Sequence, residues 1–343
     1  MIDLSIGTIG SSFLPGLDVA PSCRYAPRDG LPALRELIAS VEHVPYESVL
    51  VTAGAASGLS ACFSLSTPGK VLLPRPYFSP YLQLARFFGH EPIYYDASDV
   101  PDHSMVMRLA NLVDETCHCI VWNYPHNPTG NLDHHLDLSI LAEKCSKVGA
   151  LLINDRVYNK LLLGGINFDG HRPLLPSEIR IHSFSKAYGL AGERVGYALA
   201  EKQMCARLRD SHWSLVGSTS WAGQLMAIEA LKSDGRAWLD STLRSLSRMR
   251  DLVSKQLASI PRLVPNLPDA GVFFWVQIQE LSGQRFISEL LDRGVVVAPG
   301  HMFGDESGQR FRMCFALPEN VMAKALTVFR ATADCCQQRL DDC

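Results

Sequence analysis

The stretch Ser183-Phe184-Ser185-Lys186-Ala187-Tyr188-Gly189-Leu190-Ala191-Gly192-Glu193-Arg194-Val195-Gly196-Tyr197 decides how this 343-residue chain is read. It begins as one apolar run, Ile179–Ser183, ends, and it closes into another, Val195–Leu199. A strand therefore feeds a small Ser/Gly-rich loop, and a second strand leaves it. A lysine in such a loop is partly desolvated. Desolvation disfavours its ammonium form, lowers its pKa and yields an amine able to form a Schiff base. Arg194, with the hydroxyls of Ser183 and Ser185, can hold a phosphate. Taken alone, Lys186 reads as an ordinary surface lysine, so its company in the sequence matters.

Working outward, short apolar runs alternate with helical patterns, the signature of an α/β sheet covered on both faces. The expected strands are Val49–Thr52, Val71–Leu73, Pro92–Tyr95, Cys119–Asn123, Leu151–Asn154, Ile179–Ser183 and Val195–Leu199. Asp155 closes one of them, and the carboxyl ends of parallel strands are where such sheets bind ligands. Asp155 and Lys186 then emerge at one sheet edge. Asn123-Tyr124-Pro125-His126-Asn127-Pro128-Thr129-Gly130 follows another strand. Leu138, Leu141, Ala142 and Cys145 recur at helical spacing, with Asp133 upstream as an expected cap. After about residue 240 a long stripe, Leu239, Leu243, Leu246, Val253 and Leu257, is interrupted at Arg250. Strand-like Val272–Ile278, Val295–Ala298 and Arg310–Ala316 follow, then a helix carrying Met322, Ala325, Leu326 and Phe329. The expected division is a large domain over 22–245 and a small one from 1–21 and 246–343.

Composition narrows the class. The chain is 47% hydrophobic and 20% charged, enough for a sizeable core. Its net charge is −3, too balanced for a chain whose task is to neutralise a phosphate backbone, so no nucleic-acid partner is expected. No apolar run reaches 18 residues, and the start MIDLSIGTIGSS lacks a basic region before an apolar stretch. Neither a membrane span nor a secretory signal is expected. The ten cysteines are scattered without a C-x-x-C pair and read as reduced thiols of a cytoplasmic enzyme. His118 and the pair His134-His135 lack a third ligand at metal spacing, so no metal is expected. Arg244, Arg248 and Arg250 read as a solvated helix face, and Phe273-Phe274-Trp275 as core, with room for one of the rings near the substrate.

Together, PHNPTG, an aspartate with a tyrosine three residues on, and SFSKAYGLAGERVGY closely resemble the class I/II aminotransferases. These are fold-type I enzymes that use pyridoxal phosphate, with a mostly parallel seven-stranded sheet in the large domain. The resemblance runs from about Asp3 to Ala325. It implies that Lys186 forms the Schiff base with the cofactor and then moves a proton between the substrate's Cα and the cofactor. It implies that Asp155 pairs with the ring nitrogen, keeping it protonated and the ring a better electron sink. Asn127 and Tyr158 resemble the two donors to the ring's phenolate oxygen.

By the same resemblance, the turn at Gly54-Ala55-Ala56 offers backbone amides to the phosphate, joined by Ser183, Ser185 and Arg194. Relatives carry a hydroxyl or amide where this chain has Ala55-Ala56. Phe78, in PRPYFSPY, matches the ring that stacks on the pyridine face. Tyr25 opens YAPRDGLPALR and matches the tyrosine that reaches the phosphate of a neighbouring subunit, which implies a homodimer. Arg312 stands where the family binds the substrate carboxylate, a task suited to its planar fork. Gly7 aligns with a glycine near that carboxylate.

The implied activity is amino transfer between an L-amino acid and a 2-oxo acid. The same scaffold also hosts cyclases, lyases, decarboxylases and oxidases. A non-catalytic ligand-sensing module is a further alternative. The segment before Tyr25 is shorter than in many relatives, so a changed substrate entrance is expected.

Overall fold

The computed structural model describes residues 1–15, 24–134, 136–166 and 172–341. His135, the expected boundary at 21/22, and Cys23 and Cys343 lie outside them. In chain order the strands are β1 (Ile2–Asp3), β2 (Val49–Thr52), β3 (Lys70–Arg75), β4 (Glu91–Asp96), β5 (Cys117–Asn123), β6 (Leu151–Asp155) and β7 (Glu178–Ser183). β8 (Gly196–Ala200), β9 (Leu263–Pro265), β10 (Phe273–Ile278), β11 (Val295–Val296), β12 (Ala298–Pro299) and β13 (Arg310–Cys314) follow.

A seven-stranded sheet has the order β2-β8-β7-β6-β5-β3-β4. Among its described strands β8 runs antiparallel to both neighbours and the other pairings are parallel. The sheet is thus the expected mostly parallel, seven-stranded α/β core. Its central strands are apolar on both faces because successive side chains point to opposite sides. Val71 and Leu73, Cys119 and Val121, Leu151 and Ile153 enter one core with the helix Ala55–Leu65. Leu72, Ile120, Trp122 and Leu152 enter another with the helices His103–Leu112 and Ser139–Val148.

A second sheet has the order β12-β13-β10-β9, and β1 pairs in parallel with β11, so the first residues of the chain join its last third. The expected strand Val295–Ala298 is broken into β11 and β12, which serve different sheets. The expected boundary at 245 falls inside one 26-residue helix, Ser233–Ala258.

Two side chains differ from their expected roles. Asp133 does not cap the helix Ser139–Val148, where Asp137 instead accepts the Ser139 amide at 2.9 Å. Asp133 is buried and accepts from Arg156 at 2.8 Å and Trp122 at 3.2 Å. Arg250 is not on a solvated face, although Arg244 and Arg248 are exposed. Its four- and three-residue spacing from Leu246 and Val253 puts it in the buried stripe. There it donates to the Pro268 carbonyl at 3.3 Å and pairs with Asp251 at 2.7 Å.

Candidate active site

β5, β6 and β7 run in parallel and end at one sheet edge, with Asn123 opposite Asp155 and Asp155 opposite Ile181. Asp155 is buried, and burial pushes its carboxyl above the ordinary range, partly offset by hydrogen bonds. Tyr81 donates to it at 2.5 Å and the Val157 amide at 3.0 Å. A carboxylate in this setting gains from a nearby positive charge. Asn123 accepts the Asn127 amide at 3.1 Å and donates to the Asp155 carbonyl at 3.3 Å, joining the loop to the strand.

One residue beyond β7, the helix Phe184–Ala187 carries Lys186; Ser183 caps this helix by accepting the Ser185 amide. Burial, then the charge of Arg312, push the Lys186 pKa down, favouring the nucleophilic amine. Its Nζ donates to the Gly7 carbonyl at 2.7 Å. Arg312 donates to the Ser5 carbonyl at 2.6 Å and to Asn127 Oδ1 at 2.8 Å, so the amide of Asn127 remains a donor. The Arg312 guanidinium lies 4.0 Å from the centre of the Phe273 ring and 4.7 Å from that of Phe303. Gly7 fits because a Cβ there would come within 2.0 Å of Phe273.

At the opposite end, Gly54 precedes the helix Ala55–Leu65, which has no side-chain cap. The first amides of such a helix have no intrahelical partner and form an anion site. Gly54 has φ 78°, and a Cβ would come within 2.7 Å of the Arg194 guanidinium. Arg194 itself has φ 51°, a strained conformation for a side chain of its size. Beneath this cradle lies His212, buried and held to a pKa of about 4 by desolvation. Its Nε2 accepts the Ala53 amide at 3.3 Å and lies 3.1 Å from Ser57 Oγ.

Gly7, Tyr81, Asn123, Asp155, Lys186, Arg194 and Arg312 line one cavity of about 420 Å³, together with Ala55, Ala56, Phe78, Asn127, Tyr158, Ser183 and Ser185. Phe78 stands edge-on to Tyr81, their ring centroids 5.6 Å apart. Of the aromatic trio expected as core with one ring near the substrate, Phe273 is buried and forms cavity wall. Tyr25 does not join the cavity in a single chain; it is 86% exposed.

Tyr81, Asn123, His126 and His212 are additions to the residues expected from sequence. His126 donates through Nε2 to the Pro76 carbonyl at 3.1 Å and lies 2.9 Å from Thr129 Oγ1, fastening the PHNPTG loop to the segment before Phe78. The spacing of Tyr81, three residues after Phe78, was a usable signal. Nothing local distinguishes His212. Among the described residues no group of three potential metal-ligating side chains gathers. His118 lies 2.9 Å from Thr67 Oγ1, and His134 lies 3.6 Å from Asp269.

The model of the family described as aminotransferase class I and II matches residues 20–329. The chain belongs to the class I and II aminotransferases. A probable aspartate/prephenate aminotransferase of Aquifex aeolicus is 29% identical over 325 residues, 88% of this chain and 82% of the relative. The arginine–pyruvate transaminase of Pseudomonas aeruginosa is 30% identical over 327 residues, 90% of this chain and 81% of the relative. The fold of this aminotransferase matches an aspartate aminotransferase double mutant from Thermus thermophilus. The TM-score is 0.84 at 23% identity, covering 96% of this chain and 91% of that one. It matches N-succinyldiaminopimelate aminotransferase from Mycobacterium tuberculosis with the same TM-score, 0.84, at 22% identity, over 96% and 93% of the two chains. The fold is therefore the fold-type I architecture, and the aminotransferase family depends on pyridoxal phosphate. The site has a donor set suited to that group: an amine of lowered pKa, a buried carboxylate, and a cradle that a Cβ at Gly54 would fill.

Proposed function

We propose that this aminotransferase moves an amino group between an L-amino acid and a 2-oxo acid, with pyridoxal phosphate held by the residues above. The observation that carries the reading is the placement of Lys186, Asp155, Arg194 and Arg312 around one cavity. Lys186 is the amine that holds the cofactor covalently. Displaced by substrate, its Nζ takes the Cα proton and later returns a proton. Its lowered pKa suits this task because a base must be neutral before it can accept. When bound, the cofactor supplies an electron sink for the charge left at Cα.

Asp155 holds the proton of the ring nitrogen, and Tyr81 orients that carboxylate. Asn127 and Tyr158 donate to the phenolate oxygen. The amides of Ala55 and Ala56, the hydroxyls of Ser183 and Ser185, and Arg194 hold the phosphate. Phe78 covers one ring face. Arg312 exchanges its bonds to Ser5 and Asn127 for the substrate carboxylate, beside Gly7. Tyr25 serves the phosphate of a second copy in a homodimer, which its exposure supports.

The division into domains at 22–245 and at 1–21 with 246–343 belongs to this reading. So does a cytoplasmic location, supported by free buried thiols such as Cys62, Cys119 and Cys145. Among the described residues no helix is long and apolar enough to cross a membrane.

The purified protein with pyridoxal phosphate is expected to show a visible band that borohydride bleaches, and Lys186→Ala to lack it. An amino acid should then yield its 2-oxo acid and pyridoxamine phosphate, identified by mass. A band retained in Lys186→Ala overturns the lysine assignment. Release of carbon dioxide or ammonia with the cofactor unchanged overturns amino transfer.

A further inference from the structure

The residues between β9 and β10 connect two strands of the four-stranded sheet, yet their bonds go to two loops at the edge of the seven-stranded one. The Asp269 and Ala270 amides both donate to the Gly130 carbonyl, each at 3.1 Å. The Gly271 amide donates to the Leu161 carbonyl at 2.8 Å, and the Leu163 amide to the Asp269 carbonyl at 2.9 Å. These are the loops that carry Asn127 and Tyr158. The fit is close, because a Cβ on Gly130 would lie 2.4 Å from Pro268. The helix Ser233–Ala258 fastens the same region from behind. Its Arg250 donates to the Pro268 carbonyl at 3.3 Å, and its Ser247 Oγ accepts the Gly164 amide at 3.1 Å.

Asn266 completes this clasp with its side chain. Its Nδ2 donates to the Thr129 carbonyl at 2.6 Å, and its Oδ1 accepts the Trp275 amide at 3.1 Å. One partner is an acceptor and the other a donor, so the side-chain amide fits only one way round. Thr129 stands two residues after Asn127. Trp275 is paired with Arg312 in the register of β10 and β13. One planar amide thus spans from the loop of Asn127 to the strand beside Arg312, and those two side chains meet at 2.8 Å. In the functional reading above, Arg312 leaves Asn127 for the substrate carboxylate. Asn127 then needs a support that does not depend on Arg312, and the bond from Asn266 to Thr129 is one.

We propose that Asn266 is a positioning residue. Through Thr129 it keeps Asn127 where its amide donates to the cofactor's phenolate oxygen, and through Trp275 it keeps that loop in step with Arg312. This rests on the assignments of Asn127 and Arg312 above.

The test is a pH titration of the visible band of the holoenzyme, with no substrate present. A donor at the phenolate oxygen takes up part of its negative charge. When that donor retreats, the oxygen holds the neighbouring proton more tightly, and the midpoint rises. Asn266→Ala should raise the midpoint by about 0.5–1 pH unit, the size of one weakened hydrogen bond. Asn266→Ser, polar but too short to reach both backbone groups, should do the same and carries the test where the alanine variant does not fold. Leu267→Ala, at the exposed neighbour, should leave the midpoint in place. Asn127→Ala supplies the reference shift, and adding Asn266→Ala to it should move the midpoint little further, because Asn266 acts through Asn127. A wild-type midpoint in the Asn266 variants beside a lowered urea midpoint would reduce Asn266 to a stabiliser of the fold and overturn the proposal. Fully additive shifts in the double variant would also overturn it. Failure of the underlying reading is distinct: the band would be missing in the wild type, or Asn127→Ala would itself leave the midpoint unmoved.

Discussion

Tyr81 gives its hydroxyl to Asp155 at 2.5 Å, and both groups are buried. Removing one donor from a buried carboxylate costs about 1–3 kcal/mol, a factor of about 5–150. Tyr81→Phe is therefore expected to keep the visible band while raising the dissociation constant for pyridoxal phosphate by about tenfold. Titration of the apoenzyme measures this, and an unchanged constant would show that Tyr81 does not orient the carboxylate. Gly7 is constrained in a different way. A methyl group there collides with Phe273, the ring against which Arg312 rests. Gly7→Ala should move both, and a displacement of about 1 Å in such a site costs about 100-fold in kcat/KM. Wild-type kinetics in Gly7→Ala would refute the argument.

The turn before the helix Ala55–Leu65 depends on a second helix, Lys202–Val216, which carries His212 beneath it. His212 accepts the Ala53 amide, so truncation leaves that N–H without its partner. His212→Ala should weaken cofactor binding by about 5–150-fold, with His212→Asn recovering part of it. The distinguishing readout is the rate at which pyridoxal phosphate leaves the holoenzyme during gel filtration or exchange. A rate equal to wild type in His212→Ala would mean that the cradle stands without this support. The sequence shows the helix and the turn as separate patterns, but not that one rests on the other.

Across the whole molecule, burial holds His126, His182 and His212 at pKa values of about 4, 3 and 4. Their ordinary value is about 6.5, so between pH 6.5 and about 4 the unfolded chain binds protons that the folded chain does not. Stability contributed by these neutral side chains is full above pH 6.5 and is lost as the pH falls. Each contributes up to about 1.4 kcal/mol per pH unit, or about 4 kcal/mol per unit for the three. The urea midpoint is expected to drop markedly between pH 7 and pH 5.5. His126→Gln should make that drop shallower, and equal slopes would count against the assignment. At the same scale, Tyr25 is expected to reach a second copy. Tyr25→Ala should raise the cofactor dissociation constant while sedimentation still shows a dimer, and an unaffected constant would place Tyr25 elsewhere.

Strand positions and the order of the chemical motifs were legible in the sequence because both are local. Unbroken apolar runs mark β5 and β6, buried on both faces, and Lys186 follows an apolar strand whatever the rest of the chain does. Asp155 and Lys186 could be brought to one edge because parallel strands share a carboxyl end. The roles of Asp133 and Arg250 were misread for the complementary reason. A capping aspartate and a buried ion-paired one look alike in sequence, and an arginine in an apolar stripe shows its partner only once Pro268 is beside it. The carbonyls offered to Lys186 and Arg312 come from residues 179 and 307 positions away. No periodicity reaches that far. Chemistry of individual residues and strand-length patterns are written in the sequence. Which distant backbone closes the cavity, and which side chain it presents there, is decided by packing, because those contacts exist only when separate elements meet.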